Sequence, residues 1–234
     1  MKSFFITGTD TDVGKTYVAC ALIHALKARG LRVAPMKPIA AGRTKIGGAD
    51  MNVDVAALRE VAASNAPLTD INPYCFSEPI APHLAAQHEN VLVEMAVIRK
   101  AFARLAADAD TVLVEGAGGF LVPLSTDQSM AEIPVALGLD VILVVSIRLG
   151  VLNHALLTAE AIRSRGLALA GWVANCNVPG TAMAAFDENI ATLRRLLDAP
   201  LLGVVPHDVK FDGTLERARR ASACLQTSSM MKVN

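Results

Sequence analysis

Short, almost unbroken apolar runs alternate along this chain with longer stretches in which apolar residues recur every three or four positions. Residues 3–7, 31–36, 111–115, 141–145, 169–174 and 201–205 read as buried strands, and the run VILVV at 141–145 is the purest of them. Residues 15–29 place Val18, Leu22, Ala25 and Leu26 on one helical face, with Gly30 ending the helix. Residues 52–63 carry Val53, Ala57, Leu58 and Val61 in the same way. Further helices are expected at 91–108, near 129–137, and at 153–165, 183–197 and 214–224. Residues 38–50 read as a glycine-bearing loop and 67–82 as a stretch punctuated by four prolines. Strand–helix alternation of this kind predicts right-handed βαβ units, hence a mostly parallel, twisted sheet with helices on both faces. With no repeat, low-complexity segment or long linker, the expectation is a single α/β domain over 1–225 and a frayed tail at 226–234.

The first strand runs straight into a turn, Gly8-Thr9-Asp10-Thr11-Asp12-Val13-Gly14-Lys15-Thr16, and a helical pattern starts at once. That is the layout of a phosphate-binding loop, in which backbone N–H groups and the helix dipole favour an anion. Lys15 would reach the terminal phosphates and the Thr16 hydroxyl would sit on a magnesium ion. The fold class is therefore P-loop NTPase-like. The spacing departs from G-x-x-x-x-G-K-T by one residue. Either the loop is longer or Thr9 takes the first position.

Composition narrows the partners. Twenty-two basic residues balance twenty-two acidic ones, which excludes a basic field for nucleic acid. Aromatic residues are only 4%, so the core is aliphatic. The charged fraction, 19%, lies below the usual ~25% and hints at a subunit interface. Cys20, Cys75, Cys176 and Cys224 have no paired spacing, so free thiols in a reducing cytosol are the default. The first residues lack the pattern of a signal peptide. No apolar run approaches the ~18–20 residues of a membrane span.

Ligands of open parallel sheets sit beyond the carboxyl ends of the strands, and polar residues gather at those ends. Asp10, Asp12, Lys15 and Thr16 follow the first strand and Lys37 the second. Glu115 ends another, Asn175 and Asn177 follow the next, and His207 and Asp208 the last. Pro38 biases Lys37 to an extended backbone. A second lysine at the nucleotide would neutralise charge on a transferring phosphoryl group. Asp54 opens a helix and Glu115 precedes Gly116-Ala117-Gly118-Gly119, so both are candidate magnesium ligands; their alternatives are a helix-dipole partner and a costly buried charge. Asn175 and Asn177 are turn residues or adenine contacts. The five histidines show no metal spacing.

With these groups in place, the chain resembles the dethiobiotin synthetase family. GTDTDVGKT at 8–16, MKPIAAG at 36–42, VLVEGAGG at 112–119, VILVVSIRLGVLNHALLTAEAI at 141–162, GWVAN at 171–175 and PLLGVVP at 200–206 carry the likeness. The resemblance implies ring closure of dethiobiotin from 7,8-diaminopelargonate, CO₂ and Mg-ATP, in the cytoplasm. It implies that Lys15, Lys37 and Thr11 act on the carbamate and phosphoryl oxygens, and that Thr16, Asp54 and Glu115 hold Mg²⁺. Asp12, Val13, Gly14, Tyr17, Gly118, Asn175 and Pro206 would contact ATP. Thr11, Asp12, Lys37 and Ala41 would line the diamine site. A homodimer is implied, with Gly150, Val151 and Asn153 reaching the substrate from the partner subunit. Two positions depart from the family: Ala41 where serine is common, and Asp12 where glutamate is frequent.

A rival reading is a P-loop ATPase switch of the partition or cell-division kind. Such proteins carry a lysine just ahead of the turn, where this chain has Gly8-Thr9-Asp10. The basic residues Arg217, Arg219 and Arg220 hint at a membrane-targeting helix, but Glu216 and the polar end argue for an ordinary solvated one. An amidating synthase of corrinoid metabolism would need a glutamine-hydrolysing domain for which 234 residues leave no room.

Overall fold

The computed structural model describes residues 2–176, 185–207, 213–228 and 230. β1 (Phe4–Gly8) leads through the phosphate-loop turn to α1 (Lys15–Ala28) and β2 (Val33–Met36). Three short strands follow: β3 (Ile39–Ala41), β4 (Arg43–Ile46) and β5 (Ala49–Asn52). Then come α2 (Val53–Ala62), α3 (Leu68–Ile71), β6 (Tyr74–Phe76), α4 (Pro82–His88), α5 (Met95–Ala107) and β7 (Thr111–Glu115). The second half runs α6 (Glu132–Leu137), β8 (Asp140–Ser146), α7 (Val151–Ser164), β9 (Leu169–Asn175), α8 (Phe186–Leu196), β10 (Leu201–Val205) and α9 (Thr214–Ser222).

Among the described residues, six strands form one parallel sheet in the order β10-β9-β8-β1-β7-β2. β1 is central. Phe4 and Ile6 pack with Leu22 and Leu26 of α1, Leu58 of α2 and Ala218 of α9. Phe5, pointing the other way, packs with Ile98 of α5 and Ile133 of α6. Leu143, Val145 and Trp172 meet Ala155 of α7 and Leu193 of α8. Burial on both faces is why these strands read as continuous apolar runs rather than as alternating ones. The chain crosses from β1 past β7 to β2, then returns to the other side of β1. The strand order reverses there, at the carboxyl ends of β1 and β7, where open α/β sheets bind ligands.

The structure departs from the sequence reading between the second strand and the third central one. The expected loop at 38–50 contains β3, which pairs in parallel with β6, and an antiparallel β4–β5 hairpin. The hairpin turns on Gly47 and Gly48, with φ of 58° and 84°, a conformation cheap only for glycine. The helix expected from residue 91 starts at Met95, with Glu94 at its N-cap in an extended conformation. Residues 67–82 contain a short helix and a strand, and Pro82 opens α4, where its missing N–H is harmless. Within 226–234, expected to fray, Gln226 N donates to Leu202 O at 2.7 Å, and Thr227 and Met230 are buried. Residues 183, 184, Asn177 and Asp208 lie outside the described residues.

Candidate active site

The turn after β1 is shaped by close packing. A Cβ on Gly8 would lie 2.4 Å from Val13 Cγ2, so the loop folds back onto the strand only because residue 8 has no side chain. Thr9 N still donates to Val144 O at 3.1 Å, so strand pairing continues past Gly8 and the free turn begins after Thr9. Asp12 sits at φ 56° and Gly14 at φ 86°, and α1 starts at Lys15. No side chain caps that helix end, whose first residues, Gly14, Lys15 and Thr16, line the cavity described below. Asp10 Oδ1 accepts from Thr11 N at 2.8 Å, and the Asp10 carbonyl accepts from Lys15 Nζ at 2.8 Å. Arg148, beyond the end of β8, reaches Asp10 Oδ2 at 3.2 Å and ties the turn to the segment leading into α7.

Four side chains from separate elements converge beside this turn. Lys37 Nζ, just after β2, donates to Glu115 Oε1 at 2.6 Å and lies 3.1 Å from Asp54 Oδ2. The same Glu115 oxygen accepts the Thr16 hydroxyl at 2.7 Å. The Lys37 backbone is anchored: its N–H donates to Ile71 O at 2.8 Å, and its carbonyl accepts from Asn72 Nδ2 at 2.6 Å. Glu115 is placed at the end of β7. The next N–H, that of Gly116, donates to Ile6 O, and a Cβ at Gly116 would meet Phe5 Cζ at 2.7 Å. Asp54 is held in the first turn of α2, where Asn52 Oδ1 accepts its backbone N–H at 2.9 Å.

Burial sets the electrostatics. Lys37 and Glu115 are 4% and 1% exposed. Burial depresses Lys37, but the charges and hydrogen bonds of Glu115 and Asp54 outweigh it and leave its pKa raised. Lys15 lacks so close a carboxylate. Burial, opposed by Glu115 and reinforced by the positive charge of Lys37, lowers it to about 8. Glu115 Oε2 is buried with no hydrogen-bond partner. An orphaned carboxylate oxygen beside a threonine hydroxyl and a second carboxylate is a hard-oxygen donor set. It fits Mg²⁺, which takes one or two carboxylates and completes its shell with phosphates and waters. Among the described residues no larger His, Cys, Asp or Glu cluster offers a competing metal site.

The convergence opens into a cavity of about 820 Å³ lined by Thr11, Asp12, Gly14, Lys15, Thr16, Lys37, Ala41, Asp54, Glu115 and Gly118. Asn52, Ala117, Val122 and the segment Pro79–Pro82 complete its wall, none of them singled out from sequence. Asn52 was findable: an asparagine just before an apolar helical run marks an N-cap. It also donates to Ala41 O at 2.8 Å, fixing the floor of the cavity. Val13 and Asn175 lie behind the loop, where buried Asn175 donates to Val13 O at 2.8 Å and its own Oδ1 has no partner. Tyr17 does not line this cavity; with Thr16 and Arg217 it borders a smaller one of about 350 Å³, where Arg217 lies 5.0 Å above its ring. Pro206 is exposed after β10. Gly150, Val151 and Asn153, at the start of α7, do not line this chain's own cavity.

Comparison with known proteins identifies the relatives of this arrangement. A family model described as an AAA domain matches residues 2–214. The ATP-dependent dethiobiotin synthetase BioD of Aromatoleum aromaticum is 53% identical over 206 residues, covering 88% of this chain and 91% of the relative. The chain belongs to the dethiobiotin synthetase family. A second member, from Nitrosospira multiformis, is 49% identical over 90% of this chain and 91% of its own length. Among solved structures, MinD of Aquifex aeolicus matches with a TM-score of 0.54 at 14% identity, over 94% of this chain and 87% of that one. A ParA family ATPase of Chlorobium tepidum matches at 0.53 and 14%, over 98% and 94%. At that identity these solved structures share the fold alone, whereas the dethiobiotin synthetase relatives share about half of their residues over nearly the whole chain.

Proposed function

We propose that this chain closes the ureido ring of dethiobiotin, a step of biotin biosynthesis, from 7,8-diaminopelargonate, CO₂ and ATP. One substrate amine takes up CO₂ as a carbamate. A carbamate oxygen attacks the γ-phosphorus and ADP leaves, giving a carbamic-phosphoric anhydride. The second amine then attacks the carbonyl carbon, the ring closes, and phosphate departs. Such chemistry asks the protein for positioning and charge neutralisation rather than for a covalent residue.

The observation that carries this reading is the meeting of the phosphate loop and Lys37 on one buried carboxylate, Glu115. Lys15 and the amides that open α1 would hold the phosphates, and Lys37 would neutralise the carbamate and transferring oxygens. Thr11, Asp12 and Ala41 would face the diamine. Asn175, Val13, Gly14, Tyr17, Gly118 and Pro206 would border the nucleotide. Thr16, Asp54 and Glu115 would hold Mg²⁺, which when bound would screen the phosphate oxygens.

A homodimer completes the substrate site in this reading. Leu149, just before α7, is 89% exposed, and Leu157, midway along that helix, is 61% exposed. Apolar side chains so placed favour a second copy across this face, with Gly150, Val151 and Asn153 of the partner subunit meeting the substrate carboxylate. The test is to mix the protein with diaminopelargonate, bicarbonate and Mg-ATP and to look for dethiobiotin by mass. ATP hydrolysis that ignores the diamine and yields no ring product contradicts the proposal and favours a nucleotide switch.

A further inference from the structure

A lysine stands among the oxygens assigned to the divalent cation. Lys37 Nζ is 2.6 Å from Glu115 Oε1 and 3.1 Å from Asp54 Oδ2, and Thr16 Oγ1 shares the Glu115 oxygen at 2.7 Å. Glu115 Oε2 remains buried and unpartnered. Charge counting explains the pairing. Glu115 and Asp54 are matched by the ammonium groups of Lys37 and Lys15, and the cavity's third carboxylate, Asp12, stands at its exposed side. A divalent cation entering alone would leave excess positive charge beside the two lysines, and unbalanced charge is costly to bury. A cation entering with a nucleotide triphosphate brings its own counter-charge.

We infer that Lys37 and the divalent cation compete for Glu115 and Asp54: Lys37 holds the carboxylates and keeps the metal out until nucleotide arrives. Arrival of the metal–nucleotide pair releases the ammonium from the carboxylates. The freed ammonium then turns to the oxygens of the second substrate. Lys37 is thus both a placeholder in the resting site and the cation delivered to the reaction. Backbone anchoring through Ile71 O and Asn72 Nδ2 confines the exchange to the flexible side chain.

This inference rests on the proposed ligand set of Thr16, Asp54 and Glu115, yet it can be tested without turnover. Mn²⁺ binding to the full chain is followed by loss of the free-ion electron paramagnetic resonance spectrum, for wild type, Lys37→Met and Lys37→Arg, after circular dichroism has confirmed the fold. Without nucleotide, Lys37→Met is expected to bind Mn²⁺ at least about tenfold more tightly than wild type, because the competing charge is gone. Lys37→Arg, which keeps a cation, is expected to stay near wild type. Equal or weaker Mn²⁺ binding by folded Lys37→Met overturns the inference.

Should Lys37→Met fail to fold, wild type labelled with ¹³C at lysine Cε answers the question. The Lys37 resonance is expected to stay in place with millimolar Mg²⁺ alone and to move when a non-hydrolysable ATP analogue is added with Mg²⁺. Movement with millimolar Mg²⁺ alone, or none with the pair, overturns the inference. Dethiobiotin formation by wild type tests the reaction separately, so failure of the exchange and failure of the ring-closure reading are distinguishable.

Discussion

Lys37 and Glu115, from the ends of neighbouring strands, form an ion pair of 2.6 Å in which both side chains are almost wholly buried. Thr16 ties that pair to the phosphate loop. Three elements are thereby locked to one oxygen, and the consequences of disturbing any of them differ.

Lys37→Ala removes the cation proposed for the transferring oxygens and leaves Glu115 without its ammonium partner, with only the Thr16 hydroxyl on its Oε1. Turnover should fall about 10²-fold or more. The fold should persist but lose stability, with about 3–5 kcal/mol as the upper bound for breaking a buried pair. Assays of kcat beside thermal melts by circular dichroism check both parts. A fully active variant would remove Lys37 from the mechanism.

The depressed Lys15 pKa gives a pH dependence with a definite sign. Its folded value, about 8, lies below the ordinary 10.5, so between these pH values the unfolded chain holds more protons than the folded one. Stability of the ligand-free protein should therefore rise with pH across that window, by at most about 1.4 kcal/mol per pH unit from this group. Urea unfolding in the presence of chelator at pH 8 and 9.5 measures the rise. Lys15→Met should flatten it, and an equal rise in that variant would assign the effect elsewhere.

Ala41 borders the cavity at the end of β3, and its carbonyl is held by Asn52. A serine there would add a hydroxyl without changing the backbone. Ala41→Ser should lower KM for the diamine about two- to tenfold, the value of one net hydrogen bond, and leave KM for ATP alone. An unchanged or raised diamine KM contradicts the prediction.

The central sheet and the phosphate loop were legible because their physics is local. VILVV at 141–145 is buried on both faces and has no polar residue to interrupt it. Gly14 and Gly8 stand where a left-handed residue and a close approach demand them. The cavity wall was less legible. β3 owes its existence to β6, far along the chain, and three residues carry no periodicity. The β4–β5 hairpin did carry a mark, the Gly47-Gly48 pair between two four-residue strands, which a reading tuned to long apolar runs passed over. Asn72 and the Pro79–Pro82 segment reach the site only through tertiary packing, so nothing in their neighbourhood announces a role.

The exposed leucines before and within α7, Leu149 and Leu157, bear on assembly. Leu157→Asp, at a residue that does not line the cavity, should convert a dimer to monomers by burying a charge at the proposed interface. Sedimentation velocity measures the assembly and a product assay measures turnover, which should fall with it. A dimer of unchanged activity would move the interface elsewhere.

The most direct test of the account follows an oxygen. Freshly dissolved CO₂ labelled with ¹⁸O is mixed with the protein, diaminopelargonate and Mg-ATP and quenched before exchange with water. If the carbamate oxygen attacks the γ-phosphorus, the released phosphate carries one ¹⁸O for each dethiobiotin formed, and none is transferred when the diamine is left out. Unlabelled phosphate alongside labelled CO₂, or phosphate release independent of the diamine, would contradict ring closure through an anhydride in this pocket.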